Sequence, residues 1–558
     1  MVKIAEIHKK VPLMFRAQTA GRCQLNYLAR DTEPDVKRWT SEWIEKATTQ
    51  LPSFNTGVQT KTYTINWRFV TNAGQDDGII RPVIGAKGIP FYPGSSMKGA
   101  FSRACTPQQR ERYCGKDLGN GDFTPGILRF EGGYPTDNKW QEKLIDIVHP
   151  QQSWQVKSQT KEGGAFPMIS LYKPTLIFGI SSPISLEESE WETIWKVWEK
   201  ALSRGIGCRV SAGYGQPKKT TQTIIYATDL KGEGIASKLL DGTAEFRPNL
   251  FKATLRGHAL RIFGGLTDPK TAERAVEQLF GGTEGEGGTV GLLTMKFRDT
   301  KLDLDTFGSG RWAVYTYDVE GRLSWLLNEK LTNEAERTLG ELIQFLLRFA
   351  MVLGGFGRSW RRSDHRLFYP DYYKGNNKPL IGCHWQWQGE ALIKDVSVGR
   401  IDHLGSFIDK GLEKAKNWLK LQGLQINTTL YAKNWRESWH PDKVQVWGRL
   451  AEEGQEDSLA IYWLHRPYQK ADPYSDISQG QIYHTSVTGS MGQVGYLWHR
   501  MYPLVRLSRN PDNSKKATTT FQYLEFLTIF PDGSQDAKDF LVFLNSSRSQ
   551  FQKLWPVG

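Results

Sequence analysis

The chain has 558 residues and carries 72 Lys plus Arg against 59 Asp plus Glu, a formal charge of +13 that favours a polyanionic partner. That length exceeds one ordinary core and predicts two domains with room for a large insertion. Cys23, Cys105, Cys114, Cys208 and Cys383 are few and scattered, which excludes a secreted disulfide framework; no run reaches the roughly 18 apolar residues of a membrane span, so a cytoplasmic protein with no membrane partner is expected.

In chain order, residues 1–55 form an N-terminal elaboration in which Trp39, Trp43 and Ile44 recur at helical spacing within Pro34–Thr49. KTYTINWRFV, Lys61–Val70, predicts a strand that feeds the polar loop Thr71–Gly88. PGSSMKGAFSRA, Pro93–Ala104, then enters a helix with Ser95 and Ser96 where an N-cap is needed. A second amphipathic helix over Leu186–Ser203 empties into GIGCRVSAGYGQ, Gly205–Gln216. The boundary is placed at 217–220, after which the order repeats: TTQTIIYATDL as a strand, a loop, LRGHALRIF as a helix, the long helix Asn333–Leu353 and the glycine loop GGFGRSWRRSDHR, Gly354–Arg366. Within the two loops, DGIIRP at Asp77–Pro82 is echoed by DGTAEFRP at Asp241–Pro248. Beyond Tyr369, Asp402–Leu421 reads as a helix, Leu424–Leu430 and Val444–Leu464 as extended, and Tyr496–Arg506 as strand-like and basic.

The paired constellations join glycine flexibility to cations. In the first, Pro93 and Gly94 turn the chain and Lys98 and Arg103 follow at a helix start, whose dipole already favours anions. Gly205, Gly207, Gly213 and Gly215 exceed what one helix C-cap needs, which predicts close approach to a ligand backbone, with Arg204, Arg209 and Tyr214 adding charge and a stacking face. Arg358, Arg361, Arg362, His365 and Arg366 crowd one segment with Trp360, a density that calls for an anionic answer. No Walker loop, nucleophile elbow, zinc-protease or dinucleotide motif is present.

PGSSMKGAFSRA resembles the IPGSSLKGALR signature of the RAMP superfamily, the Cas-seven-type backbone proteins of type III CRISPR effector complexes. GIGCRVSAGYGQ is similar to that family's terminal glycine loop, while LRGHALRIFGG, EQLFGGTEGEGGTVG (Glu277–Gly291) and GGFGRSWRR are similar to its divergent form. The resemblance spans about residues 56–370 and implies an α+β protein: two ferredoxin-like, RRM-related RAMP domains with insertions, over 56–217 and 218–558. It implies a guide-RNA grip at Ser95, Ser96, Lys98 and Arg103 in the first domain and at Arg256, His258 and Arg261 in the second, which lacks the PGSS turn. The partners implied are a CRISPR guide RNA, complementary target RNA and other type III effector subunits, in antiviral defence.

Cutting members of the family carry an aspartate in the loop after the first strand and use a divalent metal such as Mg²⁺. Asp77, with Asp76 beside it, stands there in the first domain and Asp241 in the second, so the resemblance implies candidate catalytic carboxylates for attack of a ribose 2′-OH on its own phosphate. Asp-Gly is also an ordinary turn signal. Cys105 and Cys114 lie where some members hold zinc, but no CxxC or full tetrad is visible and zinc is not expected. Three readings stay open: a guide-binding subunit that also cleaves target RNA, a binding-only subunit, and a metal-independent endoribonuclease that processes guide RNA.

Overall fold

The computed structural model describes residues 35–76, 79–119, 121–148, 153–157, 166–219, 222–239, 241–282, 289–308, 310, 313–357, 361–362, 383–468, 480–490, 493–509 and 515–557. They form mixed α and β structure in two compact units that change over between Thr223 and Ile224. Lys238–Thr243 is counted with the first unit and the short helix Ser153–Lys157 with the second.

In the first unit, helix α1 (Asp35–Lys46) buries Trp43, whose ring lies 5.1 Å from that of Trp140 and whose indole N–H donates to the Gly88 carbonyl at 2.8 Å. Strand β1 (Gln59–Thr64) is followed by the hairpin β2 (Asn72–Asp76) and β3 (Ile79–Pro82). Then come helices α2 (Gly94–Ala104) and α3 (Pro107–Cys114), strands β4 (Arg129–Pro135), β5 (Ile145–Val148), β6 (Phe166–Ile169) and β7 (Thr175–Ser181), and helix α4 (Glu188–Ser203). The main sheet runs β1–β7–β4, all antiparallel, and an isolated bridge from Ile65 to Pro217 extends it beyond β1. Phe101 of α2 packs 5.1 Å from Phe130, and Trp198 of α4 packs 5.0 Å from Phe178, so both helices bury their apolar stripes in one core. The strand expected over Lys61–Val70 breaks after Thr64 and resumes only as the two-residue strand Arg68–Phe69, paired with Leu171–Tyr172. Arg68 is instead drawn inward, where its guanidinium donates to the Lys143 carbonyl and to Ser170 at 2.9 and 2.7 Å.

The second unit opens with strand β8 (Ile224–Ile235), helices α5 (Leu250–Leu266) and α6 (Pro269–Phe280), strands β9 (Leu293–Phe307) and β10 (Val314–Leu327), and helix α7 (Asn333–Phe349), which closes in a π turn at Ala350–Gly354. After β11 (Arg361–Arg362), strand β12 (Cys383–Trp387) completes an antiparallel sheet ordered β9–β10–β8–β12. Helix α8 (His403–Leu421) matches the expected one, whereas 424–430 is irregular rather than extended.

The C-terminal stretch, read from sequence as insertions, builds a further sheet. Its strands are β13 (Gln445–Ala451), β14 (Leu497–Arg509), β15 (Lys515–Ile529) and β16 (Gln552–Trp555), with the short helix α9 (Ala460–Trp463) after the first and α10 (Gln535–Leu544) after the third. The order is β11–β14–β15–β13–β16, so second, third, first and fourth strands lie side by side as they do in the sheet before it. The succession strand, helix, strand, strand, helix, strand therefore occurs twice in the second unit, and the first unit shows it with a single bridge as its last strand.

A buried polar cluster fixes the start of α9. Glu525 accepts from Arg449 Nε at 2.8 Å, Ser458 Oγ at 2.5 Å and the N–H groups of Leu459 and Ala460 at 3.1 and 3.0 Å, with His499 Nε2 3.1 Å away. Burial pushes its carboxyl upward, but His499, Ser458 and Arg449 together hold it below the ordinary value. Glu525→Ala leaves Arg449 to Asp457 alone and removes the acceptor of Ser458, Leu459 and Ala460, and should cost about 3–5 kcal/mol, read as earlier loss of structure in urea. Because the carboxyl is depressed, its contribution is complete above its unfolded-state pKa of roughly 4.3 and fades as pH falls through the lower folded value. Glu525→Gln should flatten that acid dependence; an unchanged acid profile would assign it to other carboxylates.

Candidate nucleic-acid interface

In the first unit, the Pro93–Gly94 turn is pressed onto the backbone of β4. Tyr92 and Gly133 exchange both backbone hydrogen bonds, at 2.8 and 2.9 Å. A Cβ on Gly94 would fall 1.9 Å from the Phe130 carbonyl oxygen, so only glycine fits. Helix α2 begins at that glycine with Pro93 as its cap residue and no side-chain capping bond. Ser95 and Ser96 are thus first-turn residues rather than caps, a correction that leaves both exposed. Met97 N–H is the first to bond back into the helix, to the Pro93 carbonyl at 2.9 Å. The preceding N–H groups, two hydroxyls and the exposed Lys98 share one helix start, which suits an anion. Tyr92 beneath it is pushed up to about 12 by burial and stays neutral.

Arg103 does not sit at that start. It lies in the last turn of α2, nine residues and about 13 Å along the helix at 1.5 Å per residue. There the exposed Arg204, the C-cap of α4, donates to the Arg103 carbonyl at 3.2 Å and brings the two helix ends together. Sequence reasoning missed Arg110 and Lys200, exposed cations whose fields reach Cys105 on the same flank. The signal for Arg110 was available in Thr106-Pro107-Gln108-Gln109, where Thr106 and Gln109 form a capping box that starts α3. The face so assembled carries Lys98, Arg103, Arg110, Lys200 and Arg204.

The glycine loop after α4 has a different task from the one expected. A Cβ on Gly215 (φ +59°) would fall 1.8 Å from the Ile206 carbonyl oxygen, and Cys208 and Gly215 donate to the carbonyls of Val70 and Arg68 at 3.0 and 2.7 Å. The close approach is to this chain's own backbone. Tyr214 is correspondingly buried rather than offered for stacking: its ring lies 4.6 Å from Trp67 and its hydroxyl donates to Asp146 at 2.8 Å. Arg209 is half-buried in the left-handed region at φ +57°.

The second unit turns its expected grip inward. Arg256 donates to the Gly281 carbonyl at 2.5 Å, tying the LRG segment of α5 to the LFGG segment that ends α6; burial lowers its pKa against the opposing pull of Glu277. His258 is buried, 5.1 and 5.7 Å from the rings of Phe349 and Trp498. Arg261 is buried too, donating to Glu437 at 2.8 and 2.5 Å, while Arg436 holds the other carboxylate oxygen at 2.6 Å. These three are structural, a correction with one cause: α5 is covered on nearly every side and its polar groups must be answered within the protein. Arg361 and Arg362 pair their backbone in parallel with His499 and Arg500 of β14; their side chains, and all of Arg358, Trp360, His365 and Arg366, lie outside the described residues.

Of the candidate carboxylates, Asp76 ends β2 paired with Ile79, and its side chain, with the whole of Asp77, lies outside the described residues. Asp241 Oδ1 accepts from both the N–H and the hydroxyl of Thr243, at 3.0 and 2.8 Å, an Asx turn closed by Gly242. Among the described residues no group of three or more His, Cys, Asp or Glu side chains is placed to hold a metal ion. Asp241 Oδ1 is engaged within its own turn. Cys105 and Cys114 share a hydrogen bond; its thiol partner and burial raise Cys105, while Cys114 is lowered first by that bond and then by Lys98 and Ser102 against its burial.

No family model and no curated protein matches the chain. Among solved structures, a chain in the cryo-EM structure of the type III-B Cmr-beta bound to cognate target RNA aligns with 18% identity and a TM-score of 0.23, covering 38% of this chain and 74% of that one. A chain of a type IV-B CRISPR complex aligns with 16% identity and a TM-score of 0.21, covering 28% and 87%.

The two units are expected to respond differently to loss of charge. Lys98→Ala should leave the unfolding transition within about 0.5 kcal/mol of wild type, as an exposed surface change does. Glu437→Ala should destabilise by about 3–5 kcal/mol, because Arg261 and Arg436 lose their shared carboxylate. Urea melts of both variants check this; equal effects would contradict the division into exposed and structural cations.

Proposed function

We propose that this chain is an RNA-binding subunit of a CRISPR effector complex, a RAMP backbone protein of the type III class that holds guide RNA along its first unit. The observation that carries the reading is the helix start of α2, fixed on β4 with opening N–H groups that no described residue answers, Ser95, Ser96 and Lys98 outward, beside Arg103, Arg110, Lys200 and Arg204. Phosphate oxygens suit such a start, and flanking cations add sequence-independent affinity by releasing counterions. The strand orders support a ferredoxin-like reading of each domain, since first and third strands lie side by side with the helices after the first and third. Target RNA and the other effector subunits are the further partners of this reading, and the cytoplasm is its place.

Cleavage of target RNA belongs to the same proposal through Asp77 and its neighbour Asp76. A carboxylate there would orient the ribose 2′-OH, with Mg²⁺ supplying charge neutralisation when bound. At the second aspartate a binding-only role is favoured, because Asp241 already serves its own turn.

Fluorescence anisotropy with a labelled guide RNA tests the grip. Lys98→Glu combined with Arg103→Glu should weaken binding about tenfold or more and lower the slope of log K against log salt by about one for each phosphate that no longer meets a cation. An unchanged slope would remove these residues from the RNA path. For cleavage, the assembled complex with guide and labelled complementary RNA should lose one set of cuts in Asp77→Ala and in EDTA, and keep its pattern in Asp241→Ala. Cutting that persists in Asp77→Ala would remove that residue from catalysis, and cutting that persists in EDTA would favour a metal-independent nuclease.

A further inference from the structure

Between α7 and α8, inside the second unit, lies a cavity of about 360 Å³, within the size range of small-ligand sites. Its walls place Arg348, His403, Lys410 and Lys414 around Phe345 and Phe407. His403, Phe407, Lys410 and Lys414 follow one another at helical spacing, so a single face of α8 supplies most of the charge and one ring. The rings of Phe345 and Phe407 lie 5.6 Å apart, and Gly411 is the only kind of residue that lets Phe345 close to α8, since a Cβ there would meet the ring at 1.8 Å.

Among the lining residues the cations outnumber the one carboxylate, Asp402. Asp402 at the rim is already held by Arg400 at 3.1 and 2.9 Å. Neither Lys410 nor Lys414 has an ion-pair or hydrogen-bond partner among the described residues. Burial and the nearby Arg348 push the Lys414 ammonium down, with Glu341 of α7 opposing them. Arg348 Nη2 is engaged by the Lys394 carbonyl at 2.7 Å and lies 3.6 Å from Asp395, but its Nε, like Ser397 Oγ, is buried with no hydrogen-bond partner. Two buried donors thus border a mostly apolar cavity rimmed by cations, a setting that an anion would answer.

We propose that this pocket binds a nucleotide, its phosphate among Arg348, Lys410 and Lys414 and its base against Phe407. Cations alone would suit any anion; the adjoining rings select one that carries a flat apolar group. The same chemistry is offered by a free nucleotide and by the phosphorylated end of an RNA chain.

Isothermal titration of the full chain with adenosine monophosphate, adenosine and inorganic phosphate tests the site. The monophosphate should bind at least about tenfold more tightly than either fragment, and Lys410→Gln and Lys414→Gln should each weaken it several-fold with unchanged urea melts. Binding no tighter than that of adenosine, or undiminished in both Lys410→Gln and Lys414→Gln, would overturn the proposal. Displacement of the monophosphate by a 5′-phosphorylated oligoribonucleotide but not its 5′-hydroxyl counterpart supports the site with a chain end as its occupant. Displacement by neither supports it with a free nucleotide, and equal displacement by both would overturn it in favour of a general RNA groove.

Discussion

One backbone-to-backbone contact sets the geometry of the candidate interface. Gly94 lies so close to the Phe130 carbonyl that no side chain can intervene, and the paired bonds between Tyr92 and Gly133 lock the turn on either side. A helix whose first residue is held this way cannot slide or tilt without breaking the edge of its own sheet. Its opening N–H groups consequently point to a fixed place in space, and preorganised donors bind an anion without an ordering cost at the moment of contact. Ser95, Ser96 and Lys98 inherit their positions from that seat.

The distribution of cations follows from the same economy of burial. The chain's +13 charge does not describe one basic surface. Part of it is consumed inside: Arg68 against Ser170, Arg261 and Arg436 against Glu437, Arg449 against Glu525, and Arg500 against the carbonyls of Met351 and Trp385. Such groups hold segments in register and contribute nothing to a phosphate field outside. Among the cations that remain exposed on the first unit, Arg103, Arg110, Lys200 and Arg204 form a local set gathered where the ends of α2 and α4 meet.

Helices α1, α2, α4, α5, α7 and α8 and strand β8 were legible because hydrophobic period, a PG turn and glycine punctuation agreed with one another, whereas the hairpin β2–β3 lies in what reads as a polar loop and strands β4–β7, β9 and β10 carried no comparable signal. The helix ending at Ser203 and the one beginning at His403 fall within two residues of their expected limits. Burial of polar residues was not legible. Nothing in LRGHALRIF says that Arg256 will meet Gly281 or that Arg261 will meet Glu437, since both partners come from distant segments. Tyr214 and the glycines around it were misread for the same reason: a positive φ and a close approach look alike in sequence whether the neighbour is RNA or the chain itself. The C-terminal sheet escaped notice because its first helix spans only Ala460–Trp463, too short to show a period, and because the outer halves of β14 and β15 are exposed on both faces and lose the alternation of a half-buried strand.

The central claim is that RNA lies across the helix ends of the first unit. Ultraviolet cross-linking of the RNA-bound full chain, with the attached peptides identified by mass spectrometry, addresses it without any substitution. Cross-links should concentrate in the peptides that contain Phe91–Arg110 and Lys200–Arg209. Cross-links confined to the second unit, with none in those two peptides, would contradict the account.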